Sequence, residues 1–306
     1  MRNAMDQFEL AENAILARRA QFPEFTKEFE QVAIERADEV RVLEEDGFLP
    51  YGGYIEKDRV KKINDQFESW ARQGVNLQLP RDIAARKPGQ EDWDVGRISQ
   101  EDVEKGLDAF AHRTHMVQLQ DPLMHFPDLL RIGLDEKILD IVGAYMGCLP
   151  SMGFLKITKS LANDLPPFDT QLYHIDGNAA KMVKAFLLLH DVDEGTGPHA
   201  LVKNSHKDRF EGCFDKIRWT EEEMVHHFGE DRILHHHGKA GDLVVEDTSA
   251  FHCGQKPTQT DRTIVIFNYV PHEEYGGGGP KLRAPKFLLD ELSEKQRLAS
   301  DEIEFV

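Results

Sequence analysis

The chain has 306 residues, of which 40% are hydrophobic and 30% charged, a composition typical of one large or two modest globular domains. Its formal net charge of −18 repels nucleic acid and anionic lipid, and no apolar run approaches the roughly 18 residues that span a membrane. The N-terminus has no signal-peptide pattern and the three cysteines form no CxxC pair, so we expect a cytoplasmic protein without a disulfide framework or a zinc knuckle.

The first third of the sequence predicts helices. Between residues 6 and 45, apolar side chains recur at spacings of three and four, and we expect residues 1–40 to form a helical extension. Another helix is predicted from Lys57 to Trp70. Residues 80–105 contain two prolines and two glycines without a clear period, so we expect a long loop there.

From about residue 150 the pattern changes to that of strands. Segments rich in β-branched and other apolar residues, separated by Gly, Asp, Asn and Pro turns, lie at 151–158, 181–189, 241–247 and 263–270. Because these strands lack the alternation with helices of a parallel sheet, the pattern favours a sandwich or barrel.

The sequence therefore divides into three regions, of which the helical extension over residues 1–40 is the first. We expect one domain over residues 41–271, with a polar insertion at about 207–236 that contains a helical patch at 220–228. The tail, residues 272–306, is expected to form a loop followed by a short helix from about residue 292.

A His-x-Asp pair in the middle of the chain indicates a metal site. Side chains on a strand alternate between faces, so His174 and Asp176 point the same way. His252 follows the strand at 241–247 and can reach the same ion from a neighbouring strand. Two imidazoles and one carboxylate bind one face of Fe(II) and leave three positions open.

Arg262 adds an anion-binding group to this set. It follows His252 by ten residues (262 − 252 = 10) and shares a strand face with Ile264 and Ile266. An arginine among isoleucines is costly to bury unless it is paired, and a guanidinium holds a carboxylate bidentately. A dicarboxylate cosubstrate is therefore a suitable partner.

The ordered set of motifs resembles the phytanoyl-CoA dioxygenase family of Fe(II)/2-oxoglutarate-dependent oxygenases. The resemblance covers roughly residues 40–270, and it is carried by Glu45-Asp46-Gly47-Phe48, Tyr173-His174-Ile175-Asp176, the block from Lys184 to His199, Asn204-Ser205-His206-Lys207, Phe251-His252 and Arg262-Thr263-Ile264. It implies a double-stranded β-helix (jelly-roll, cupin-like) core in a protein that is mainly β with flanking helices.

The resemblance also implies the roles of four residues. His174, Asp176 and His252 would bind Fe(II), and Arg262 would bind the distal carboxylate of 2-oxoglutarate. The reaction would use O₂, release succinate and CO₂, and hydroxylate an unactivated C–H bond of a small-molecule metabolite or natural-product intermediate. Desaturation and ring formation are variants of this outcome.

Two further positions bear on the reaction. Halogenating members of the family have a small residue in place of the metal-binding aspartate, so Asp176 disfavours halogenation. Some members have a hydroxyl residue two positions after the distal histidine, where this chain has Gly254. Thr248 or Thr158 could substitute for that hydroxyl in contacting 2-oxoglutarate.

Other residues are candidates for substrate contact. Lys184 lies in an apolar strand, so we expect it to contact substrate or cosubstrate or to pair with an acid such as Asp191. His199, and Trp93 in the long loop, are further candidates. The run His235-His236-His237 cannot easily direct three side chains at one ion, and we expect these histidines to be solvated.

A second interpretation stays open from the sequence. The chain could be a non-catalytic jelly-roll protein that binds a small molecule, or a metal enzyme of the same fold that does not use 2-oxoglutarate. The presence of the whole metal set together with Arg262 speaks against the non-catalytic protein. The sequence predicts neither the substrate nor the oligomeric state.

Overall fold

The computed structural model describes residues 4–79, 98–176, 181–271 and 281–306, with side chains from residue 12 onward. Its helices are α1 Ala4–Gln21, α2 Pro23–Glu35, α3 Ala37–Asp46, α4 Lys57–Gln73, α5 Gln100–Glu104, α6 Pro122–His125, α7 Asp128–Gly133, α8 Glu136–Met146, α9 Glu221–Phe228 and α10 Glu294–Ala299. None of these described helices is long and apolar enough to cross a bilayer.

The described strands form two larger sheets and one small parallel pair. Their bounds are β1 Phe48–Tyr51, β2 Leu77–Gln78, β3 Met116–Leu119, β4 Ser151–Ser160, β5 Val183–Leu188, β6 His199–Val202, β7 Ile233–His236, β8 Leu243–Asp247, β9 His252–Gly254, β10 Arg262–Val270, β11 Leu282–Ala284 and β12 Ile303–Phe305.

Two facing antiparallel sheets give the core its topology. The large sheet has the order β1-β8-β5-β10-β4-β3-β2, and the small sheet has the order β7-β6-β9. A bridge between His174 and His252 places the segment before β5 beside β9, so it extends the small sheet. When this segment is counted as a strand of the small sheet, the chain passes from one sheet to the other between successive strands from β4 to β10, except in the β6–β7 hairpin. This is a jelly roll, and the predicted fold class is confirmed.

Strand β10 shows how the sequence divides the two faces of the large sheet. Val265, Phe267 and Tyr269 point outward and belong to the main hydrophobic core, which the flanking helices cover. The alternate residues, among them Ile264 and Ile266, face the space between the sheets. The largest apolar cluster therefore lies outside the barrel, and the interior combines a smaller apolar cluster with polar side chains.

The first three helices pack onto the outside of this core, and the prediction of helices in the first 45 residues is confirmed. Phe25 and Phe29 of α2 are buried. Phe29 packs on Gly143 of α8, where an added Cβ would lie 2.4 Å from its ring. The helix predicted from Lys57 is α4, and its Val60, Ile63 and Phe67 are buried on one face.

Ion pairs made by two buried cations also tie the first two helices to the C-terminal segment. Lys295 of α10 donates to Glu28 of α2 at 2.7 Å and to Asp140 of α8 at 2.6 Å. Arg18 of α1 is 3% exposed and pairs with Asp301 at 2.9 Å. The boundary proposed at residue 40 stays a prediction.

The expectation of a loop over residues 80–105 is wrong for its last part, because Gln100–Glu104 form helix α5. Helix α5 begins after Ser99, whose hydroxyl accepts from the backbone N–H of Asp102 while the Asp102 carboxylate accepts from the backbone of Ser99. This capping box stabilises a five-residue helix next to a segment with helix-breaking residues. Residues 80–97, including Trp93, lie outside the described residues.

Two other segments contain strands that the sequence did not predict. The expected insertion at 207–236 contains the predicted helix α9, but it ends in β7, which pairs with β6 in the small sheet. The tail contains the expected short helix, and it also contains the parallel pair β11–β12. All three strands depend on partners distant in sequence, so local patterns did not predict them.

Candidate metal centre

The backbone brings the two histidines and the aspartate together. The N–H of His174 donates to the carbonyl of His252 at 2.9 Å, and the reverse bond is 3.0 Å long. The N–H of Asp176 donates to the carbonyl of Thr248 at 3.0 Å. As a result, one ligand atom from each of His174, Asp176 and His252 lies within 4.8 Å of the others. This is a group that could hold a metal ion.

Hydrogen bonds orient both imidazole rings. Nδ1 of His174 lies 2.9 Å from the carbonyl oxygen of Leu172, and Nδ1 of His252 lies 3.0 Å from that of Ala250. A carbonyl only accepts, so each Nδ1 carries the proton and each neutral ring keeps a lone pair on Nε2. These Nε2 atoms lie 3.6 Å and 3.4 Å from the carboxylate of Asp176. Both lone pairs therefore face the position of a shared cation.

The electrostatics of the centre favour a ligating carboxylate. Burial lowers the pKa of His174 to about 4, so this ring is neutral near pH 7. Burial alone would raise the pKa of Asp176, but the Lys184 ammonium and His252 hold it well below its ordinary value. Burial alone would lower the pKa of His252, but the Asp176 carboxylate outweighs this and raises it. Metal binding then competes with a proton mainly at His252.

Lys184 is paired, but not with the acid suggested by the sequence. Its ammonium donates to Oδ2 of Asp176, and its side chain is 13% exposed. Asp191 instead pairs with Lys239 at 3.0 Å. Lys184 faces the barrel interior at the level of the metal centre, whereas Asp191 lies beyond the end of β5.

Arg262 lies at an apolar cavity between the sheets, and it is 4% exposed. The cavity lining consists of Phe48, Phe186, Leu188, Val192, His199, His236, Val244, Arg262 and Ile264. Nη1 of Arg262 donates to the carbonyl of Gln255 at 3.2 Å, and Nε has no partner. No acidic side chain of the described residues pairs with it, and burial lowers its pKa to about 10. The guanidinium thus stays charged near pH 7 without a counter-ion.

Gly254, where some members of the family that the sequence resembles have a hydroxyl residue, makes room for this guanidinium. A Cβ at Gly254 would lie 2.5 Å from Nη2 of Arg262. On the other side, Oγ of Ser160 lies 3.5 Å from the same nitrogen, and Ser160 pairs with Arg262 in the sheet register. Ser160 was missed from the sequence, although it shares the inward face of β4 with Thr158.

The two threonines proposed as cosubstrate contacts differ in availability. Thr158 lies opposite Ile264 on the inward face, and its buried hydroxyl has no partner. The hydroxyl of Thr248 already donates to the carbonyl of Met182 at 3.2 Å. Thr158 is therefore the better placed of the two, and a contact from either residue stays a prediction.

His199, expected to contact substrate, is paired with a buried acid. Its Nε2 lies 3.0 Å from Oε1 of Glu246 and 2.8 Å from Oε2, and only Oε1 is aligned for a hydrogen bond. Glu246 is fully buried, and burial raises its pKa to about 8. The ring of His199 stacks near Phe186 with centroids 4.5 Å apart, so it also lines the cavity.

The expectation that the three consecutive histidines are solvated is wrong for two of them. His236 faces the cavity, and its Nε2 is buried without a partner. His235 is half-buried and lies 3.0 Å from Glu221. Only His237 is exposed. The reason is that β7 belongs to the small sheet, so successive side chains point alternately inward and outward.

Asn268 is a buried polar residue that the sequence did not single out. It is fully buried, and neither its amide nitrogen nor its amide oxygen has a partner. In the register it lies between Lys184 of β5 and Phe154 of β4. Buried polar groups are rarely unpaired, so such a residue beside the metal centre calls for an explanation.

No family model and no curated protein sequence matches the chain. The chain is similar in structure to the epimerase SnoN in complex with Fe³⁺, alpha ketoglutarate and nogalamycin RO, at 13% identity and a TM-score of 0.47, over 76% of this chain and 82% of that one. It is also similar to HygX from Streptomyces hygroscopicus with nickel, 2-oxoglutarate and hygromycin B, at 15% identity and a TM-score of 0.46, over 76% and 86%. A third similar structure is EctD from S. alaskensis with bound Fe, at 14% identity and a TM-score of 0.48, over 76% of each chain.

Proposed function

We propose that the protein is an Fe(II)- and 2-oxoglutarate-dependent oxygenase of the phytanoyl-CoA dioxygenase kind, which hydroxylates an unactivated C–H bond of a small molecule. One observation carries this proposal. His174, Asp176 and His252 converge in the same barrel that holds a buried, unpaired Arg262 guanidinium. A barrel that holds both a metal site and a cationic guanidinium suits a diacid, which would contact the metal at one end and Arg262 at the other.

The donor set fits Fe(II). Two neutral imidazole nitrogens and one carboxylate form a facial set that leaves open positions on the ion. His174 and His252 present Nε2, since their Nδ1 protons are held by backbone carbonyls. Asp176 supplies the single negative charge. We therefore assign the metal to these three residues.

The chemistry of the cavity lining suits 2-oxoglutarate. Arg262 would bind the distal carboxylate, and Leu188 and Ile264 would flank the methylene groups. The unpaired hydroxyl of Thr158 and the hydroxyl of Ser160 lie on the same inward face of β4. Burial of Arg262 strengthens its attraction for a carboxylate because water competes less.

When bound, Fe(II) and 2-oxoglutarate would supply the O₂-dependent oxidation of the substrate with release of succinate and CO₂. The chain's own residues orient these groups and keep water out. Asp176 occupies the position that halogenating relatives leave to a halide, so we propose hydroxylation, with desaturation or ring formation as related outcomes. His199, which lines the cavity, is proposed as a substrate contact. The cytoplasmic location stays a prediction.

The test is anaerobic titration of the Fe(II)-loaded protein with 2-oxoglutarate, followed by succinate release on addition of O₂. A weak visible charge-transfer absorption is expected for the unaltered protein. Arg262→Ala should lose most of the affinity for 2-oxoglutarate and keep the affinity for the metal. Arg41→Ala, which removes an arginine from the exposed face of α3, is the matched control.

Three results would contradict parts of the proposal. Unchanged 2-oxoglutarate affinity in Arg262→Ala would show that the guanidinium does not bind the cosubstrate. Tight metal binding without 2-oxoglutarate binding would favour a metal enzyme that uses another cosubstrate. Failure to bind metal at all would favour the non-catalytic binding protein.

A further inference from the structure

Lys184 and a metal ion at the candidate centre would need the same oxygen atom. The ammonium of Lys184 donates to Oδ2 of Asp176. The same Oδ2 lies 3.4 Å from Nε2 of His252, on the side where the ligand atoms converge. An ion ligated by Asp176 would therefore face an ammonium across one carboxylate.

Such an arrangement is repulsive unless the lysine can move. A metal–carboxylate bond is about 2.0–2.2 Å long, so the two cations would be held within a few ångströms of each other. Lysine is a point charge on a flexible four-carbon stem, and it can change partner without moving its backbone. What it needs is a second acceptor within reach.

The neighbouring strand provides that acceptor. Asn268 of β10 pairs directly with Lys184 of β5, and both side chains face the interior. Directly opposed Cβ atoms on adjacent strands lie about 4.5–5.5 Å apart. The amide oxygen of Asn268 is fully buried and accepts no hydrogen bond. On the other side of Lys184, both carboxylate oxygens of Glu246 lie within 3.0 Å of Nε2 of His199, although only Oε1 is aligned for a hydrogen bond.

We propose that Lys184 is a displaceable internal counter-cation of the metal site. It neutralises the buried carboxylate of Asp176, gives way when a divalent ion binds, and then donates to Asn268. This inference rests on the proposed metal site, and it explains why a buried asparagine beside that site has no partner. Lys184 is a positioning residue here, since it acts on the metal through Asp176.

The affinity for a metal ion, measured without turnover, tests this exchange. Co(II) is the probe, and its binding is followed by visible absorption under anaerobic conditions. Lys184→Met removes the competing ammonium, so we expect about tenfold tighter Co(II) binding, within the range that outer-shell residues control. The melting temperature of the protein without Co(II) should fall, because Asp176 loses its counter-ion. Lys156→Met, another lysine near the Phe154 ring, controls for the loss of one positive charge.

Asn268→Leu gives the sharper test because its effect should depend on Lys184. In the otherwise unaltered protein, the displaced ammonium loses its second partner, so Co(II) binding should weaken about tenfold. In the Lys184→Met background the same substitution should change Co(II) affinity little. If the leucine variant does not fold, Asn268→Ser removes the same amide with a smaller side chain.

Distinct results separate this inference from the proposed function. Weaker Co(II) binding in Lys184→Met would mean that the lysine orients Asp176, and it would overturn the exchange. Equal effects of Asn268→Leu in both backgrounds would overturn the role of Asn268. If the unaltered protein bound no Co(II), the proposed function and this inference would fail together.

Discussion

Gly254 gives the most direct way to perturb the proposed cosubstrate site without touching a proposed ligand. It lies in β9 next to the metal centre, and its backbone φ is outside the left-handed region. Alanine can therefore adopt the same backbone conformation without strain. The three heavy atoms nearest to the added methyl group would all belong to the guanidinium of Arg262. The substitution therefore acts first on the guanidinium.

The size of the effect follows from one distance. The new Cβ would lie 2.5 Å from Nη2 of Arg262, and ordinary contacts of a Cβ begin at 3.4 Å. The guanidinium must retreat by about 0.9 Å (3.4 − 2.5), and a hydrogen bond of about 2.8 Å to a carboxylate would become too long. A charge-assisted hydrogen bond contributes about 1.5–3 kcal/mol. We expect Gly254→Ala to weaken 2-oxoglutarate binding by about ten- to hundredfold.

The assay is calorimetric titration of the metal-loaded protein with 2-oxoglutarate under anaerobic conditions. Gly52→Ala is the matched control, because an added Cβ there meets nothing within 4 Å and φ is not positive. Metal affinity should be unchanged in both variants. In an Arg262→Ala background, Gly254→Ala should cause no further loss. Wild-type affinity for 2-oxoglutarate in Gly254→Ala would refute the contact between Arg262 and the carboxylate.

Three other perturbations test the site and the core. Burial raises the pKa of Glu246 from 4.5 to about 8, so between these pH values the folded protein without metal keeps a proton that the unfolded chain loses, and the free energy of unfolding should fall as the pH rises. Glu246→Gln should flatten this pH dependence of the free energy of unfolding, measured with urea. An unchanged slope in the variant would contradict the prediction. Asp176→Asn should weaken Co(II) binding by at least about tenfold, since the only anionic ligand is lost, and unchanged Co(II) absorption would argue against ligation. Phe267→Ala should lower the free energy of unfolding by about 3–5 kcal/mol because Phe267 is fully buried. A loss below about 1 kcal/mol would show that neighbouring core residues move into the space left by the phenyl ring.

Local sequence patterns were sufficient to identify the residues that carry the proposed chemistry. His174 and Asp176 share a face because of strand alternation, and the motif order linked them to His252 and Arg262. The structure places the three metal candidates together and leaves Arg262 without a counter-ion. Their assignment as ligands of Fe(II) and 2-oxoglutarate stays a proposal.

The sequence could not supply what depends on the pairing between distant strands. Ser160 faces Arg262, and Asn268 faces Lys184, only because β10 pairs with β4 and β5 in one particular register. A shift of one residue would turn each of these side chains to the other face. The partner of Lys184 was missed for the same reason, since Asp176 lies on the opposite sheet.

The contacts between the outer helices limit how far the protein could be trimmed. Phe29 fills the space over Gly143, and Lys295 depends on acids from α2 and α8. A shortened version that lacked the first three helices would take Glu28 away from the Lys295 ammonium, remove the Arg18 partner of Asp301 and leave a gap the size of a phenyl ring over Gly143. We expect such a minimal barrel to be unstable, so engineering of this protein should begin with its loops rather than its ends.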